Sequence, residues 1–259
     1  MSECLQVNDL LKQYSHGADN VIAVNRVSFT IRPGECVGLV GESGSGKSTL
    51  VRLLLALELP DQGEILFQGQ SLIRARKREL RQLRQHFQVV FQDSAASLND
   101  RLPIWRSVVE PLDNYARANP VFFQGTMLTR RDKAEQLLSM VGLSAEHMDR
   151  YPHELSGGQR QRVCMARGIS LGPRLLICDE PTSSLDVTTQ SQILHLLQNL
   201  QKQLNMSVLF ISHDLAAAVQ LCNRLLVMQE GRIVDEFAAN ELWLDERHLY
   251  TRMLRFAAQ

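Results

Sequence analysis

The sequence predicts an α/β fold, in which buried parallel strands are connected by helices and a helical segment is inserted. Two apolar runs, "CVGLV" at Cys36–Val40 and "LLICD" at Leu175–Asp179, have the length and the polar ends of buried strands. A helical pattern at 189–204 and a third apolar run, "MSVLFIS" at 206–212, follow the second strand. A strand, a helix and another strand in this order predict a right-handed crossover between parallel strands.

The rest of the chain divides into a strand-rich start, a long helical stretch and a short tail. The stretches "AVNRVSFTI" (23–31) and "GEILFQG" (63–69) predict short strands bounded by turn residues. From residue 74 to about residue 150 the pattern is mostly helical, with proline interruptions. We therefore predict a single domain with a core at about 1–90 and 160–235, a helical insert at about 91–159 and a helical tail at about 236–259.

The charge balance argues against nucleic acid as a partner. The 259 residues include 28 Lys plus Arg and 28 Asp plus Glu, and 44% are apolar, which suffices for a sizeable core. A local cationic run, "RARKRELRQLRQ" at 74–85, contains no aromatic residue that would stack on a base. We predict that this run forms an exposed helix face.

Cysteine usage and the N-terminal segment predict a cytoplasmic chain. The five cysteines form no C-x-x-C pair, which is typical of a reducing compartment where thiols act as small hydrophobes. The N-terminal residues lack the basic start and apolar block of a secretory signal, and no window approaches the roughly 20 apolar residues that span a bilayer. Any role at a membrane is therefore expected to depend on partners.

A glycine-rich segment, "GESGSGKST", follows the first buried strand and precedes a helical pattern. Gly41, Gly46, Lys47 and Ser48 fit the phosphate-binding pattern G-x-x-x-x-G-K-[ST]. In such a loop the backbone N–H groups cradle phosphate, the lysine reaches the β- and γ-phosphates, and the hydroxyl binds Mg²⁺. The sequence therefore predicts a nucleoside triphosphate site. Its residues are Gly41, Glu42, Ser43, Gly44, Ser45, Gly46, Lys47, Ser48 and Thr49.

The strand "LLICDEP" ends in two carboxylates. Ligands of open α/β sheets lie at the carboxyl ends of the strands, so both side chains are expected beside the nucleotide. Asp179 is predicted to hold Mg²⁺, and Glu180 is predicted to orient and polarise the attacking water.

A third segment, "ELSGGQRQRV", predicts a helix N-terminus. Ser156 and Gln159 have the spacing of a capping box, and Gly157 and Gly158 open the helix. The exposed amides of such a terminus bind anions, which predicts a second phosphate contact.

Residues 155–159 spell LSGGQ, and with a P-loop upstream and an acidic strand end downstream the chain resembles the nucleotide-binding subunit of ATP-binding cassette (ABC) transporters. The resemblance covers essentially the whole chain. It implies a P-loop NTPase (RecA-like) core with a small antiparallel β subdomain and an inserted α-helical subdomain. It also implies ATP and Mg²⁺ as cofactors, and ATP hydrolysis as the activity.

The same resemblance assigns roles to residues that carry no signal alone. Tyr14 matches the aromatic residue that stacks on adenine, although a structural strand tyrosine remains the alternative. Gln92 matches the glutamine that binds Mg²⁺ and the attacking water, and His213 matches the histidine that contacts the γ-phosphate. Asp186 lies in the loop that crosses between paired subunits.

Within the family, "VVFQDSAASLNDRLPIW" and "MDRYPHELSGGQRQR" resemble the second ATPase subunit of oligopeptide, dipeptide and nickel importers. Ser94 and Asp100 depart from the usual text of that group, which leaves the substrate open. The implied partners are a sister ATPase subunit in a heterodimer, two integral-membrane permease subunits and an extracytoplasmic solute-binding protein, at the cytoplasmic face of the inner membrane. An exporter cassette and a soluble ATPase acting on nucleic acid are the alternatives.

The insert is expected to carry the contact with the membrane subunit. Leu102, Ile104 and Trp105 follow Gln92 closely and are predicted to be exposed, as a groove for a partner's short helix requires. The alternative is that these three side chains pack in the core of the insert.

Overall fold

The computed structural model describes residues 3–16, 19–124 and 127–257. The two C-terminal residues of the predicted tail lie outside these ranges. The strands are β1 (Leu5–His16), β2 (Asp19–Ile31), β3 (Cys36–Val40), β4 (Gln62–Phe67), β5 (Gln70–Ser71), β6 (Phe87–Val90), β7 (Leu175–Asp179), β8 (Ser207–Ser212), β9 (Arg224–Gln229) and β10 (Arg232–Ala238). The helices are α1 (Lys47–Leu54), α2 (Lys77–Arg84), α3 (Ile104–Asn114), α4 (Arg130–Met140), α5 (Gly157–Ile169), α6 (Val187–Leu204), α7 (Leu215–Leu221) and α8 (Leu249–Ala257). They form two compact units, one of residues 1–83 with 207–259 and one of residues 84–206.

The first unit contains an antiparallel sheet of strand order β2-β1-β4-β5. Leu5 of β1 lies opposite Ile31 of β2 and Phe67 of β4, and all three side chains are buried. Apolar residues alternate along these strands, so one face of the sheet packs in the core. This sheet corresponds to the small antiparallel subdomain that the family resemblance implied.

The same unit contains the strand that leads to the glycine-rich loop. β3 pairs in parallel with β8 on one side and with β9 on the other, and every residue of β3 is buried. β10 returns antiparallel to β9. Buried parallel strands, as the predicted fold class requires, are therefore present in this unit. The sulfur atoms of Cys36 and Cys222 lie 3.5 Å apart where β3 begins and α7 ends, as small apolar groups of the core.

The second unit combines a parallel strand pair with a cluster of helices. Phe87 of β6 lies opposite Leu175 of β7. Helices α3, α4 and α5 pack against one another. The expectation that Ile104 is exposed is wrong: its side chain is fully buried, and those of Leu102 and Trp105 are half-buried. Ile104 begins α3, and its spacing with the buried Val108 and Leu112 places it on the face that packs in the helical core.

The cationic run forms α2, in which Leu83 is the buried residue, so the charged side chains are largely exposed as predicted. Within the described ranges, no helix combines the length and the apolar character that crossing a bilayer requires.

Candidate nucleotide-binding site

The glycine-rich loop connects β3 directly to α1 and packs against neighbouring backbone. Gly46 has φ 107°, and a Cβ atom there would lie 2.2 Å from the carbonyl oxygen of Ala23. A Cβ atom on Gly41 would lie 2.2 Å from the carbonyl oxygen of Met228. No L side chain fits at either position, because the neighbouring atoms are backbone atoms. The glycines of the pattern are therefore required for the packing of this loop.

The side chain of Lys47 is folded back into this loop. Only 5% of Lys47 is exposed, and Nζ donates to the carbonyl oxygens of Gly41 at 2.7 Å and Glu42 at 2.8 Å. A third contact, to Ser45 Oγ, is 3.4 Å long. The loop carbonyls thus hold an ammonium group beside the first turn of α1, whose first backbone amides have no partner within the helix. The next residue, Ser48, has an exposed side chain.

Tyr14 lies on β1, half-buried, and its hydroxyl donates to a carboxylate oxygen of Glu58. Burial, and then the hydrogen bond to Glu58, raise the pKa of the phenol above its usual value. Lys12 Nζ lies 5.5 Å from the ring centroid. The hydroxyl is thus hydrogen-bonded, and the ring lies near a cation. This geometry is compatible both with stacking on a base and with a structural role.

His213 follows β8 and is exposed. The next residue, Asp214, is the N-cap of α7, and its carboxylate accepts from the backbone N–H of Ala217 at 3.1 Å. The cap fixes the turn in which His213 lies, at the carboxyl end of a strand that pairs with β3.

The acidic strand end belongs to the second unit. Asp179 ends β7 and Glu180 follows it, and both are half-buried. Glu180 has φ 46°, the left-handed region that non-glycine residues rarely adopt. Its carbonyl oxygen accepts from Ser183 Oγ at 3.1 Å. The sequence contained no signal for this backbone conformation.

The LSGGQ segment has the predicted geometry. Ser156 is the N-cap of α5, the backbone N–H of Gln159 donates to Ser156 Oγ at 3.3 Å, and the N–H of Ser156 donates to Gln159 Oε1 at 3.0 Å. The capping box is confirmed. A Cβ atom on Gly158 would lie 2.5 Å from Thr189 Cγ2, so the start of α5 packs closely on the first turn of α6.

Asp186 caps that first turn of α6. Its carboxylate accepts from the backbone N–H of Thr189 at 3.0 Å and from Thr189 Oγ1 at 2.6 Å. The hydrogen bond from the Thr189 side chain is the main reason why the pKa of Asp186 lies below its usual value. Thr189 therefore links the capping residue of α6 to Gly158 in the first turn of α5.

Gln92 follows β6 and is exposed, in a loop that is anchored to α5. The loop is closed by Asp93, which accepts from the backbone N–H groups of Ala95 and Ala96 at 2.9 Å each. Arg167 of α5 donates to the carbonyl oxygen of Ser97 at 2.5 Å. Within this unit, the segment after Gln92 and the helix that begins with LSGGQ are therefore connected directly.

The side chains predicted to bind Mg²⁺ offer only oxygen donors, namely the hydroxyl of Ser48, the amide oxygen of Gln92 and the carboxylate of Asp179. Mg²⁺ prefers oxygen ligands and usually takes few of them from protein when nucleotide phosphates are present. Among the residues that the structure describes, no group of three or more His, Cys, Asp or Glu side chains could hold a metal ion. The donor set fits an ion that binds together with a nucleotide.

The predicted residues thus fall into two groups. Tyr14, the glycine-rich loop and His213 belong to the first unit, and Gln92, Asp179, Glu180, the LSGGQ segment and Asp186 belong to the second. Sequence reasoning missed Tyr250, whose hydroxyl accepts a hydrogen bond from the backbone N–H of Glu42 in the loop, at 3.0 Å. The two residues are 208 positions apart, so no local pattern indicated the contact.

Comparison with known proteins is consistent with this geometry. The family model for ABC transporters matches residues 24–183. The chain is 42% identical over 236 residues to the oligopeptide transport ATP-binding protein AppF of Bacillus subtilis, covering 91% of this chain and 70% of that protein. It is 36% identical over 261 residues to the oligopeptide transport ATP-binding protein OppF of Lactococcus lactis, covering 98% of this chain and 80% of that protein.

Solved structures support the fold. A dimeric ATP-binding cassette in a post-hydrolysis state, bound to ADP and Pi, matches with a TM-score of 0.78 at 28% identity, covering 91% of this chain and 98% of that chain. The predicted fold class, a P-loop core with an antiparallel β subdomain and a helical subdomain, is confirmed by this likeness.

Proposed function

Since the chain belongs to the ABC transporter family, we propose that it is the ATP-hydrolysing subunit of an importer for peptides. One observation carries the proposal: the phosphate-binding loop, the LSGGQ helix terminus and the acidic strand end occur together in a chain whose relatives AppF and OppF are oligopeptide transport ATP-binding proteins. As a member of this family the chain is an ATPase.

In the proposed mechanism, the loop binds the nucleotide phosphates. The ammonium group of Lys47, held by loop carbonyls, turns to the β- and γ-phosphates when ATP binds, because phosphate oxygens carry more negative charge than carbonyl oxygens. Tyr14 stacks on the adenine. Ser48, Gln92 and Asp179 would hold Mg²⁺, which when bound neutralises phosphate charge.

Glu180 orients the attacking water and accepts its proton, for which a fixed carboxylate at a strand end is suited. Gln92 positions the same water, and His213 contacts the γ-phosphate.

The LSGGQ terminus serves a second subunit. The ATP bound by a sister ATPase subunit is covered by Ser156, Gly157, Gly158 and Gln159. Asp186 lies nearby, because Thr189 donates a hydrogen bond to it and packs against Gly158. The two subunits form a heterodimer in which each chain completes the other's site. Binding of two ATP molecules closes the pair, and loss of the γ-phosphate releases it.

The implied assembly contains two membrane-embedded permease subunits and an extracytoplasmic solute-binding protein, with this chain attached at the cytoplasmic face of the inner membrane. Peptides are the proposed cargo because the relatives AppF and OppF are named for oligopeptide transport. Nickel, the other cargo that the sequence left open, gains no support from those names.

The test measures uptake in cells that lack this gene and carry either the wild-type chain or Lys47→Ala. We expect the wild-type chain to restore uptake of labelled oligopeptides and Lys47→Ala to fail, with ⁶³Ni uptake equal in both strains. Peptide uptake that is independent of the wild-type chain would overturn the peptide assignment. Peptide uptake supported equally by Lys47→Ala would overturn the role of the loop.

A further inference from the structure

The peptide unit between Gly41 and Glu42, at the start of the phosphate-binding loop, is held at both ends. Its carbonyl oxygen accepts from Lys47 Nζ at 2.7 Å, and its N–H donates to the hydroxyl oxygen of Tyr250 at 3.0 Å. Both hydrogen bonds restrain the same peptide group, so either one still holds it when the other is absent. Tyr250 is therefore connected to Lys47 through one peptide group.

Tyr250 is buried and kept protonated. Only 7% of it is exposed, and burial raises the pKa of its phenol above the usual value. The hydroxyl therefore stays neutral at physiological pH, and its oxygen lies against the loop.

The position of Tyr250 is set by the sheet rather than by the loop. Asp235 of β10 accepts from the backbone N–H of His248 and from Thr251 Oγ1, both at 2.8 Å. The guanidinium group of Arg247 lies 3.7 Å from the same carboxylate and 4.8 Å from the ring centroid of Phe237. These contacts fix the beginning of α8 to β10, so Tyr250 meets the loop from a rigid support.

We propose that Tyr250 is a positioning residue of the nucleotide site and that it makes the tail helix α8 sensitive to nucleotide binding. This inference rests on the proposed role of Lys47, because Lys47 must leave the carbonyl oxygens of Gly41 and Glu42 to reach a phosphate. The peptide group then loses its ammonium partner, and the hydrogen bond to Tyr250 keeps it in place. Tyr250 thereby stabilises the nucleotide-bound loop.

The coupling is reciprocal. If the hydrogen bond of Tyr250 strengthens nucleotide binding, nucleotide binding strengthens that hydrogen bond by the same factor and stabilises the tail. Neither effect follows if Tyr250 merely fills space under α8.

The first experiment compares Tyr250→Phe with the wild-type chain, and uses Tyr151→Phe, at an exposed tyrosine of the other unit, as the matched control. Titration calorimetry with Mg-ADP gives the dissociation constant, and thermal melting gives the stability without nucleotide. We expect Tyr250→Phe to weaken binding about fivefold, which corresponds to one hydrogen bond of about 1 kcal/mol, and Tyr151→Phe to change nothing.

Equal affinity in Tyr250→Phe and wild type would overturn the inference. The inference would also be overturned if Tyr250→Phe and wild type had equal dissociation constants when each is measured the same number of degrees below its own melting temperature. The loss of affinity would then reflect lower stability alone. If the wild-type chain binds no Mg-ADP, the proposed function fails as well, so the two failures are distinguishable.

The second experiment needs no variant and stands even if Tyr250→Phe fails to fold. Hydrogen–deuterium exchange of the wild-type chain is followed by mass spectrometry with and without Mg-ADP. We expect backbone amides at 247–256 to exchange several-fold more slowly when Mg-ADP is present, while those of α4 in the other unit do not change. Unchanged exchange at 247–256 under saturating Mg-ADP would refute the coupling.

Discussion

The close contact between the LSGGQ helix and α6 predicts a specific rescue. A Cβ atom on Gly158 would lie 2.5 Å from Thr189 Cγ2, well inside the normal contact distance. Thr189 cannot simply rotate away, because its Oγ1 donates to Asp186 at 2.6 Å and fixes χ1. Gly158→Ala is therefore expected to strain this contact, and Thr189→Ser, which removes the methyl group and keeps the hydroxyl, is expected to relieve it.

The magnitude follows from two opposing contributions. Forcing a methyl group into a packed contact costs about 1–3 kcal/mol. Replacing glycine by alanine in a helix returns up to about 1 kcal/mol, and less in the first turn. We expect Gly158→Ala to lower the free energy of unfolding by about 1 kcal/mol, and most of that loss to disappear in Gly158→Ala/Thr189→Ser.

The assay is urea unfolding of the wild-type chain, both single variants and the double variant. The coupling energy from this double-mutant cycle is expected to be about 1 kcal/mol in favour of the double variant. Additive effects, with a coupling energy within about 0.3 kcal/mol of zero, would show that Gly158 and Thr189 do not touch as described.

Three further predictions concern other positions. Glu180→Gln in the assembled transporter should retain bound ATP and hydrolyse it at least about a hundredfold more slowly, measured by phosphate release, because water activation is lost and the phosphate site remains. Ile104→Ala should lower the free energy of unfolding by about 2–5 kcal/mol in urea titrations, because its side chain is fully buried, while Val187→Ala, at an exposed site, should stay within about 0.5 kcal/mol. Asp186→Asn should remove part of the acid sensitivity of the urea midpoint. The folded-state pKa of Asp186 is lowered, so its stabilising effect is present above its unfolded pKa of about 4 and disappears as the pH falls through the folded value.

Each of these has a contrary outcome. Normal turnover by Glu180→Gln would move the catalytic role to another residue. Equal stability of Ile104→Ala and wild type would restore the exposed groove that the sequence suggested. Identical pH profiles of Asp186→Asn and wild type between pH 3 and pH 7 would show that the cap of α6 contributes nothing through its charge.

The features that sequence predicted correctly are local. The capping box of Ser156 and Gln159 joins residues three positions apart, and the strands β3 and β7 are continuous apolar runs whose burial follows from composition. The phosphate-binding loop is a single segment of fixed spacing between a strand and a helix. The family, the fold class and the ATPase activity follow from these segments and are confirmed.

Other predictions remain predictions. The domain bounds, the roles of the individual site residues, Mg²⁺, the heterodimer and the membrane partners are supported by the family but are not tested by the geometry.

The sequence by itself determined the chemistry of this protein, because each of its phosphate-handling motifs is a short segment whose backbone conformation depends on neighbouring residues. Tertiary structure alone decided which helix faces are buried and which residues distant in sequence contact those motifs. Ile104 is buried because α3 packs against other helices, and Glu180 is held in a left-handed conformation at the end of its strand. Tyr250 meets Glu42 only because β10 and α8 return to the loop across 208 positions of sequence. Contacts of this kind depend on the packing of the whole chain, which no local spacing encodes.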